Sequence, residues 1–303
     1  MRTPTVRSLF RAGAAAGVLA LAASGLPAWA ADPLECGDQV TSSVTLTADL
    51  TCDGGGDGLV IAADGVVLDL GGHTISGAGA YGAGSGAGVR VAERQDVTVR
   101  NGTIRAFAAG LEIQQSQRVW VSGLDISDGD RGVNVGGGGS HLIEKNVIHD
   151  NGRDAVRIAV SAGNRVSKNT ISGNVFGIGV ADGSTGTVVE KNVAVGNGEF
   201  GAAAYSGARG TAFLKNIIRG TAKDGLLVTA DTSATLLEKN EVSGSGDDGI
   251  DVDTVDATLT KNIVVGNADL GIEALDGVRG SGNLASGNGN ALQCTGVVCQ
   301  PVT

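Results

Sequence analysis

Residues 190–198 read EKNVAVGNG, and this stretch returns along the chain with small changes. Related stretches are EKNVIHDNG at 144–152, SKNTISGNV at 167–175, LKNIIRGTA at 214–222, EKNEVSGSG at 238–246 and TKNIVVGNA at 260–268. Each contains a Lys-Asn pair, a short apolar run and then a turn that is rich in small residues. A pattern that returns this often predicts one structural unit repeated along the chain.

The asparagine of each pair gives the length of the unit. The series is Asn146, Asn169, Asn192, Asn216, Asn240 and Asn262, with steps of 22 to 24 residues. Asn283 extends it forward, and Gly123 and Asn101 are predicted to extend it backward. A period of this length indicates a solenoid. The segments are short, β-branched and bounded by Gly or Asn, so each unit is predicted to contain about three strands rather than helices.

Three short strands per coil, stacked in parallel on the next coil, form a β-helix. Consecutive coils would lie ~4.8 Å apart, which is the spacing of hydrogen-bonded strands. One coil cannot bury its inner face alone, so the unit must recur. The sequence therefore predicts an all-β solenoid of about ten coils.

The regular spacing of Asn and Gly from one repeat to the next predicts two corners in each coil. We assign the repeated asparagine to a sharp corner, because Asn tolerates the left-handed backbone conformation. Its amide would bond the equivalent amides one coil up and down, while the preceding lysine faces solvent. A second corner is predicted where a glycine precedes an inward Val or Ile or Leu, as at Gly132, Gly225, Gly249 and Gly271.

The first thirty residues have the features of an export signal. A basic start is followed by an apolar run at 12–26 and by the small-x-small site Ala28-Trp29-Ala30. The apolar run is too short to span a bilayer. We therefore expect a signal peptide at 1–30 and a secreted chain without membrane insertion. The β-helix would then be a single domain at 31–303, and we expect it to be a monomer.

The overall charge restricts the classes of partner. The formal net charge is −10 at pH 7. This excess of acidic groups argues against nucleic acid and anionic membrane surfaces. It also argues against tight binding of an acidic polymer, unless a cation bridges the two or a local basic groove exists.

Four cysteines form two close pairs near the two ends of the predicted mature chain, Cys36 with Cys52 and Cys294 with Cys299. In an exported protein such pairs predict two local disulfides. A shared four-cysteine zinc site is disfavoured, because the pairs would lie at opposite ends of the solenoid. We assign the disulfides to an N-terminal cap at 36–58 and a C-terminal cap at 284–303, which cover the open sheet edges.

The repeats resemble those of right-handed parallel β-helix proteins of the pectate-lyase-like superfamily, over roughly 36–293. The segment GLVIAADGVVLDLGGHTISG at 58–77 resembles secreted bacterial members. The resemblance implies the right-handed fold and makes an extracellular polysaccharide the expected ligand. It does not imply one reaction, because the superfamily includes lyases, hydrolases, epimerases and non-catalytic proteins. The Gly-His-Gly and Arg-x-Lys motifs of polygalacturonases and the Asp-Pro-His signature of alginate epimerases are absent.

Acidic residues concentrate in GDDGIDVDTVD at 246–256. If Ile250 and Val252 point inward, Asp251 and Asp253 point outward on one face, ~6.5–7 Å apart. Alignment of the coils adds neighbours from the adjacent turns. The predicted acidic cluster consists of Asp224, Asp247, Asp248, Asp251, Asp253 and Glu273, with Lys223 beside it.

Two functional interpretations of this cluster remain open. A lyase would use Ca²⁺ on Asp247, Asp248 and Asp251 to neutralise a uronate, with Arg157 or Arg131 as base or carboxylate anchor. An inverting hydrolase would use Asp248 and Asp251 as acid and base. Both interpretations assign substrate contacts to Lys223, Asp224, Asp253 and Glu273. The alternative is that the cluster has no binding or catalytic role: Asp before Gly forms turns, and the outward carboxylates aid solubility.

Other side chains suggest weaker sites. Arg131 is predicted to lie next to Asp154 of the following coil, as cross-strand ion pairs do. Phe176 and Phe200 occupy equivalent positions in adjacent coils. They could form a platform on which a sugar stacks, but packing in the interior is the expected arrangement. The three histidines are widely spaced and are expected at solvated corners.

The predicted function is a secreted β-helix protein that binds or processes an extracellular polysaccharide, as a Ca²⁺-assisted lyase or a glycoside hydrolase. The alternative is a non-catalytic structural or adhesive carbohydrate-binding protein. Regular coils, short loops and the missing motifs favour that alternative, whereas the carboxylate cluster favours an enzyme.

Overall fold

Short β-branched segments separated by tight turns form three strands in each coil, as the repeat predicts. The computed structural model describes residues 33–79 and 86–302. The predicted signal peptide at 1–30 lies outside the described residues. Within them no helix is present, so no helical segment there is long and apolar enough to cross a membrane.

The strands, numbered in chain order, are β1 (Asp38–Val40), β2 (Val44–Thr45), β3 (Leu50–Cys52), β4 (Leu59–Ile61), β5 (Val67–Asp69), β6 (Thr74–Gly77), β7 (Ala87–Ala92), β8 (Thr98–Arg105), β9 (Ala109–Gln114), β10 (Trp120–Ser127), β11 (Arg131–Gly136), β12 (Leu142–Glu144), β13 (Val147–His149), β14 (Asp154–Ala159), β15 (Arg165–Ser167), β16 (Thr170–Ser172), β17 (Phe176–Ala181), β18 (Val188–Glu190), β19 (Val193–Val195), β20 (Phe200–Ala204), β21 (Ala212–Leu214), β22 (Ile217–Arg219), β23 (Asp224–Val228), β24 (Thr235–Glu238), β25 (Glu241–Ser243), β26 (Ile250–Val252), β27 (Ala257–Thr260), β28 (Ile263–Val265), β29 (Ile272–Ala274), β30 (Arg279–Ser281), β31 (Asn283–Ser286) and β32 (Cys299–Gln300).

Every named pairing between these strands is parallel and joins one coil to the next. The first strands of the coils form an eleven-stranded sheet, called sheet A, in the order β1-β4-β7-β9-β11-β14-β17-β20-β23-β26-β29. The second and third strands stack in the same way, and β8 and β10 each run through the corner between them. The described residues therefore form eleven coils, close to the predicted ten, which confirms the fold class.

The core is a set of columns in which each coil places the same inward position above the next. The registers place Leu226 beside Ile250, and Ile250 beside Ile272. All three are buried. The inward side chains of sheet A are smallest at Ala202 and Ala204. In the same coil Phe213 supplies the largest fully buried side chain. Burial in such columns explains why one coil needs its neighbours.

The repeated asparagines form the predicted ladder inside the stack. Asn169 Nδ2 donates to Asn192 Oδ1 over 3.0 Å, and Asn192 Nδ2 donates to Asn216 Oδ1 over 3.1 Å. Each amide also donates to a backbone carbonyl, as Asn192 does to Val166 O over 2.9 Å. The ladder runs from Asn146 to Asn283, and each of its members is buried. Buried amides are thereby satisfied by their equivalents in adjacent coils.

The left-handed residue at this corner is the lysine, which corrects the assignment to asparagine. Lys145, Lys168 and Lys191 have φ of 57°, 57° and 54°, and Asn192 is not in this region. The backward extension is also shifted by one residue. Asn101 and Gly123 have φ of 66° and 64°, so they correspond to the lysine position. Leu124 occupies the asparagine position, where its N–H donates to Asn146 Oδ1.

The glycines before the inward residues are not corners, which is a second correction. Gly132, Gly225 and Gly249 lie outside the left-handed region. Glycine is required there by space, because a Cβ on Gly249 would lie 2.1 Å from Val264 Cγ1 and 2.7 Å from Gly271 O. Close packing against Val264 of the same coil and against Gly271 of the next coil, rather than the backbone conformation, selects glycine at this column.

A second polar ladder, which the sequence analysis missed, lies at the next corner. Asn151 Nδ2 donates to Asn174 Oδ1 over 2.9 Å, and Asn267 Nδ2 donates to Asn288 Oδ1 over 2.9 Å. Thr221 and Ser245 interrupt it. In the described part of the chain, their hydroxyls and Asn197 Nδ2 are buried without a partner. The asparagines of GNG and DNG could have revealed this ladder, but the interruption hides its period.

Both predicted disulfides are confirmed. Cys36 is bonded to Cys52 and Cys294 to Cys299, with Cα–Cα distances of 5.6 and 6.2 Å. Cys52 ends β3 in the first coil, and Cys299 begins β32 after the last coil. The disulfides therefore lie near the two ends of the described solenoid.

Candidate functional site

The outer surface of sheet A, called the sheet A face, gathers the predicted site residues into columns. In each first strand the central outward residue lies beside its equivalent in the next coil. The registers give the column Arg90, Glu112, Asn134, Arg157, Gly179, Ala203, Leu227, Asp251 and Glu273. The column is charged at both ends and small or apolar in the middle. The middle is therefore where a ligand could approach the backbone closely.

The basic part of the sheet A face is built around a buried carboxylate. Asp154 is only 3% exposed, and its Oδ2 lies 3.3 Å from Arg131 Nε in the preceding coil. Burial raises the pKa of Asp154, although the positive charge of Arg131 opposes the shift. Arg157 lies three residues after Asp154 on the same strand, in the outward column, and it pairs with Asp182. The predicted cross-strand pair of Arg131 and Asp154 is confirmed, whereas the partner Asp182 was missed.

Three aromatic side chains, called the aromatic platform, lie in the middle of the sheet A face. The ring centroids of Phe176 and Phe200 are 5.2 Å apart, and those of Phe200 and Tyr205 are 6.0 Å apart. They line two adjoining depressions, one of which also includes Arg153 and the other Lys223. The expectation of packing therefore holds for Phe200, which is only 7% exposed, and is wrong for Phe176, which is half-buried at the surface.

Tyr205 reaches this position because neighbouring residues are small. A Cβ on Gly179 would lie 3.0 Å from Tyr205 Oη, so the ring covers a position without a side chain. Burial raises the pKa of the Tyr205 hydroxyl, and the charge of Asp154 raises it further. Sequence analysis did not identify Tyr205, because it follows β20 in a turn whose path the repeat does not specify.

The acidic cluster lies at the other end of the sheet A face. Asp248 is 4% exposed, and its Oδ1 accepts a hydrogen bond of 2.7 Å from Leu270 N. Asp224 Oδ1 accepts in the same way from Asp248 N over 3.2 Å. Lys223, beside it, pairs with Glu199 over 2.5 Å. Asp224 and Asp248 thus bind the backbone of the following coil, which is a structural role in addition to any chemical one.

Two carboxyl groups of the cluster hold protons near neutral pH. Burial, followed by the hydrogen bond that protonated Asp248 donates to Glu273, raises the pKa of Asp248 to about 8. Burial and the negative charges of Asp253 and Asp224 raise the pKa of Asp251 to about 7. Burial also raises the pKa of Asp224. Carboxyl groups that are close together and partly buried favour the neutral form. Raised pKa values of this kind are common at functional sites.

The closest group of carboxylates differs by one residue from the predicted calcium ligands. Oxygens of Asp224, Asp247 and Asp248 all lie within 4.8 Å of one another. Asp251 is not in this group, and Asp224 takes its place. Oxygen ligands of this kind suit Ca²⁺. Calcium binding stays a prediction, which isothermal titration with Ca²⁺ would measure.

The three predicted catalytic residues are not brought to one place. Asp248 and Asp251 lie in the same coil, and Asp251 is beside Glu273 of the next one. Arg157 lies four coils away, across Gly179, Ala203 and Leu227. At the strand spacing this is ~19 Å. Arg157 therefore cannot act on the same bond as a cation held by the acidic cluster.

The histidines occupy three different environments. His149 Nδ1 lies 2.7 Å from Asp150 and its Nε2 lies 3.0 Å from Asp125, near the surface. His73 is half-exposed beside Asp49. His141 is buried, and burial lowers its pKa to about 4. The expectation of three solvated corners is therefore wrong for His141, whose Nδ1 accepts from Val119 N.

The raised pKa of Asp248 predicts that stability falls as pH rises. The stability that this raised pKa contributes is complete only below the unfolded pKa of 3.8, and it is lost progressively as the pH rises from there through the folded pKa of about 8. We expect the free energy of unfolding to drop by roughly 2 kcal/mol between pH 6.5 and 8.5. His141 changes this window only slightly and in the opposite direction: it is neutral when folded and half protonated at pH 6.5 when unfolded, which adds roughly 0.4 kcal/mol of stability as the pH rises.

Urea unfolding of Asp248→Asn over the same window checks this prediction. The amide keeps the Oδ1 acceptor for Leu270 N but cannot ionise, so the pH dependence should become much shallower. Asp269→Asn, at an exposed position one coil later, should leave it unchanged. A slope that Asp248→Asn does not alter would contradict the assigned protonation.

Comparisons with solved structures show a shared fold at low sequence identity. The chain is 14% identical to a periplasmic alginate epimerase AlgG, with a TM-score of 0.69, covering 83% of this chain and 72% of that one. It is 16% identical to the A-module of the Azotobacter vinelandii mannuronan C-5 epimerase AlgE6, with a TM-score of 0.65, covering 87% and 92%. For the Azotobacter vinelandii AlgE4 A-module the values are 17%, 0.58, 82% and 81%. No match was found among curated protein sequences.

A sequence family described as Periplasmic copper-binding protein (NosD) matches residues 149–288, less than half of the chain. Protein copper sites use imidazole, thiolate and thioether ligands. The matched segment contains one histidine, His149, and neither cysteine nor methionine. These side chains do not fit a copper centre, so no copper chemistry is assigned to them.

A second family match covers more of the chain. The family described as Right handed beta helix region matches residues 57–218, which is more than half of the sequence. The eleven parallel coils and the solved structures agree with this match. The chain therefore belongs to the right-handed β-helix family and has the fold of the pectate-lyase-like superfamily.

Proposed function

We propose that this protein binds an extracellular polysaccharide along the sheet A face. The observation that carries the proposal is the aromatic platform, in which the half-buried Phe176 and Tyr205 line two surface depressions between the basic residues and the acidic cluster. Aromatic rings offer flat apolar area, and flanking charged and polar groups supply hydrogen bonds. The fold's similarity to alginate epimerases raises the expectation of a carbohydrate ligand by analogy. The two disulfides support an oxidising compartment outside the cytoplasm.

The path of the sugar chain follows from the shape of the sheet A face. Gly179 and Ala203 leave the centre of the outward column low, and Leu227 continues it with a half-buried apolar surface. Arg157 and Lys223 stand beside the two depressions. A polysaccharide crossing the coils would contact the platform and then the acidic cluster.

Binding is tested by a screen of the exported chain against pectate, alginate, hyaluronan and neutral glucans, with Ca²⁺ and with chelator. Phe200→Ala is expected to weaken the binding found by roughly tenfold or more, because it removes the central ring of the platform. Trp120→Ala is the matched control, since Trp120 is an exposed aromatic residue on a different sheet surface. Equal affinity of Phe200→Ala and the unmodified protein, both folded, would contradict the location.

Hydrolysis of the bound polysaccharide is the reaction that the acidic cluster supports best. Asp251 and Asp253 are two residues apart on one outward side, so their backbones are ~6.5–7 Å apart. Inverting glycosidases place an acid and a base ~6.5–9.5 Å apart. Asp251 has a pKa of about 7, raised by burial and by Asp253, which suits a proton donor. Asp253, in place of the predicted Asp248, would then activate the water, because Asp248 is only 4% exposed and its Oδ1 accepts from Leu270 N.

The two enzyme interpretations differ in their products. Hydrolysis creates reducing ends, whereas a lyase creates unsaturated uronate that absorbs ultraviolet light. We expect reducing ends without the ultraviolet signal, because Arg157 is paired with Asp182 and lies three coils from Asp224 and four from Asp251. A calcium-dependent ultraviolet signal would overturn hydrolysis in favour of a lyase. Binding without either product would support the non-catalytic alternative.

A further inference from the structure

Lysine is concentrated at one corner of the coils in this protein, and Lys223 alone lies elsewhere. The chain contains seven lysines, and six of them occupy the corner between the second and third strands of six consecutive coils. We call these the lysine row: Lys145, Lys168, Lys191, Lys215, Lys239 and Lys261. Neighbouring members are one coil apart, ~4.8 Å, so the row is ~24 Å long. It lies away from the sheet A face, since the first strands do not contribute to it.

The backbone at this corner does not favour lysine. All six members have φ between 54° and 57°, a left-handed conformation that disfavours residues with a Cβ. The next corner of these coils is also left-handed, and there five of the six coils carry glycine. Gly123 and Gly282 fill the lysine corner itself in two flanking coils. The lysines are therefore retained for their side chains and in spite of local strain.

The charges of the row are only partly balanced. Lys145, Lys191 and Lys239 have neighbouring Glu partners at 3.8, 4.0 and 2.9 Å. The other three members follow Ser167, Leu214 and Thr260, and no ion pair involves them in the described residues.

The surroundings of the row leave an excess of positive charge. With Arg165, the strip carries seven basic side chains against the four carboxylates of Glu144, Glu190, Glu238 and Glu241, an excess of three. The whole chain has a net charge of −10. Like charges in adjacent strands repel, and an anionic partner would relieve that repulsion.

An apolar strip runs beside the lysine row. The first outward residue of the third strands is Val147, Val193, Ile217 and Ile263 in four of the six coils. Val147 is 42% exposed and the others are half-buried. A partner that runs along the row would therefore present anionic groups to the lysines and apolar groups to this strip.

We propose that the lysine row is a binding site for a linear anionic polysaccharide, held parallel to the solenoid axis. The row is one residue wide, which suits a single extended chain and not the broad surface of a duplex or bilayer. Pyranose rings carry apolar C–H faces that match the strip, and their acidic substituents match the lysines. The site is separate from the sheet A face and does not depend on the function proposed there.

Dextran sulfate and neutral dextran test the site, because the two polymers share a backbone and differ in charge. We expect binding of dextran sulfate that weakens with salt, and no measurable binding of dextran. Replacing Lys168, Lys215 and Lys261 by Gly should weaken binding roughly tenfold or more at low salt. The melting temperature of this variant should be unchanged or higher, because glycine suits the left-handed corner.

A charge-matched variant with Arg94, Arg105 and Arg209 replaced by Gln controls for net charge, because these residues lie outside the row. It should bind dextran sulfate nearly as well as the unmodified protein does. Equal losses in both variants would overturn the site in favour of a general charge effect. Tighter binding of duplex DNA or phosphatidylserine vesicles than of dextran sulfate would overturn the polysaccharide assignment.

Discussion

Replacement of Asp251 by Asn is expected to lower turnover of the bound polysaccharide by roughly 10²–10⁴-fold, which is the usual contribution of a general acid. Asp251 has a pKa of about 7 because it is half-buried among carboxylates, so it can hold a proton at neutral pH. The amide cannot deliver that proton to the leaving oxygen. Binding to the aromatic platform should remain close to that of the unmodified protein, because Asp251 is not among the residues that line its depressions.

The measurement is the rate of reducing-end release on the polysaccharide found in the binding screen, together with its pH profile. Asp269→Asn is the matched control, because it makes the same chemical change at an exposed position in the following coil. Asp253→Asn should also lower the rate, because the amide cannot act as the base that activates the water. Full activity of the Asp251→Asn protein would remove the acidic cluster from the reaction.

Replacement of Asn192 by Leu is expected to lower the free energy of unfolding by about 3 kcal/mol. Asn192 Oδ1 accepts from both Asn169 N and Asn169 Nδ2 at 3.0 Å, and its own Nδ2 donates to Val166 O at 2.9 Å. Leucine would leave these buried groups without partners in the middle of the stack. Each unsatisfied buried group costs about 1–3 kcal/mol, and added apolar burial offsets part of the loss.

Urea unfolding followed by circular dichroism measures this effect. Lys191→Asn is a neighbouring control at an exposed left-handed corner, which Asn tolerates, so its stability should be nearly unchanged. An unchanged midpoint for Asn192→Leu would mean that the ladder contributes little, and that columns such as Ile250 beside Ile272 carry the stack alone.

Most of the architecture follows from the period of the sequence. A step of 22 to 24 residues, marked by Asn146 to Asn262, predicts the coil, its three strands and the buried amide ladder. Register between coils follows as well, because equal steps place Asp251 beside Glu273 and Arg131 near Asp154. The disulfides are predictable because each pair is close in the sequence.

The assignments that failed concern local geometry within a coil. Lysine and not asparagine takes the left-handed conformation, since a periodic pattern locates a corner only to within a residue. Gly249 is required because Val264 of the same coil and Gly271 of the next coil both lie close to it, and a sequence does not show such distances. Thr221 and Ser245 hide the second ladder because they break its one-letter pattern.

The sequence by itself determined the β-helix, the ladder of asparagines, the two disulfides and the acidic residues of one sheet. Tertiary structure alone decided how far apart the site residues lie and which of them are partnered. Arg157 pairs with Asp182 beside Tyr205, and no repeated residue type in the turns after sheet A marks these two positions in the sequence. Repeats specify which residues occupy one column, because strand stacking is regular. They do not specify the paths of turns or the directions of long side chains, which depend on the space left by neighbours such as Gly179.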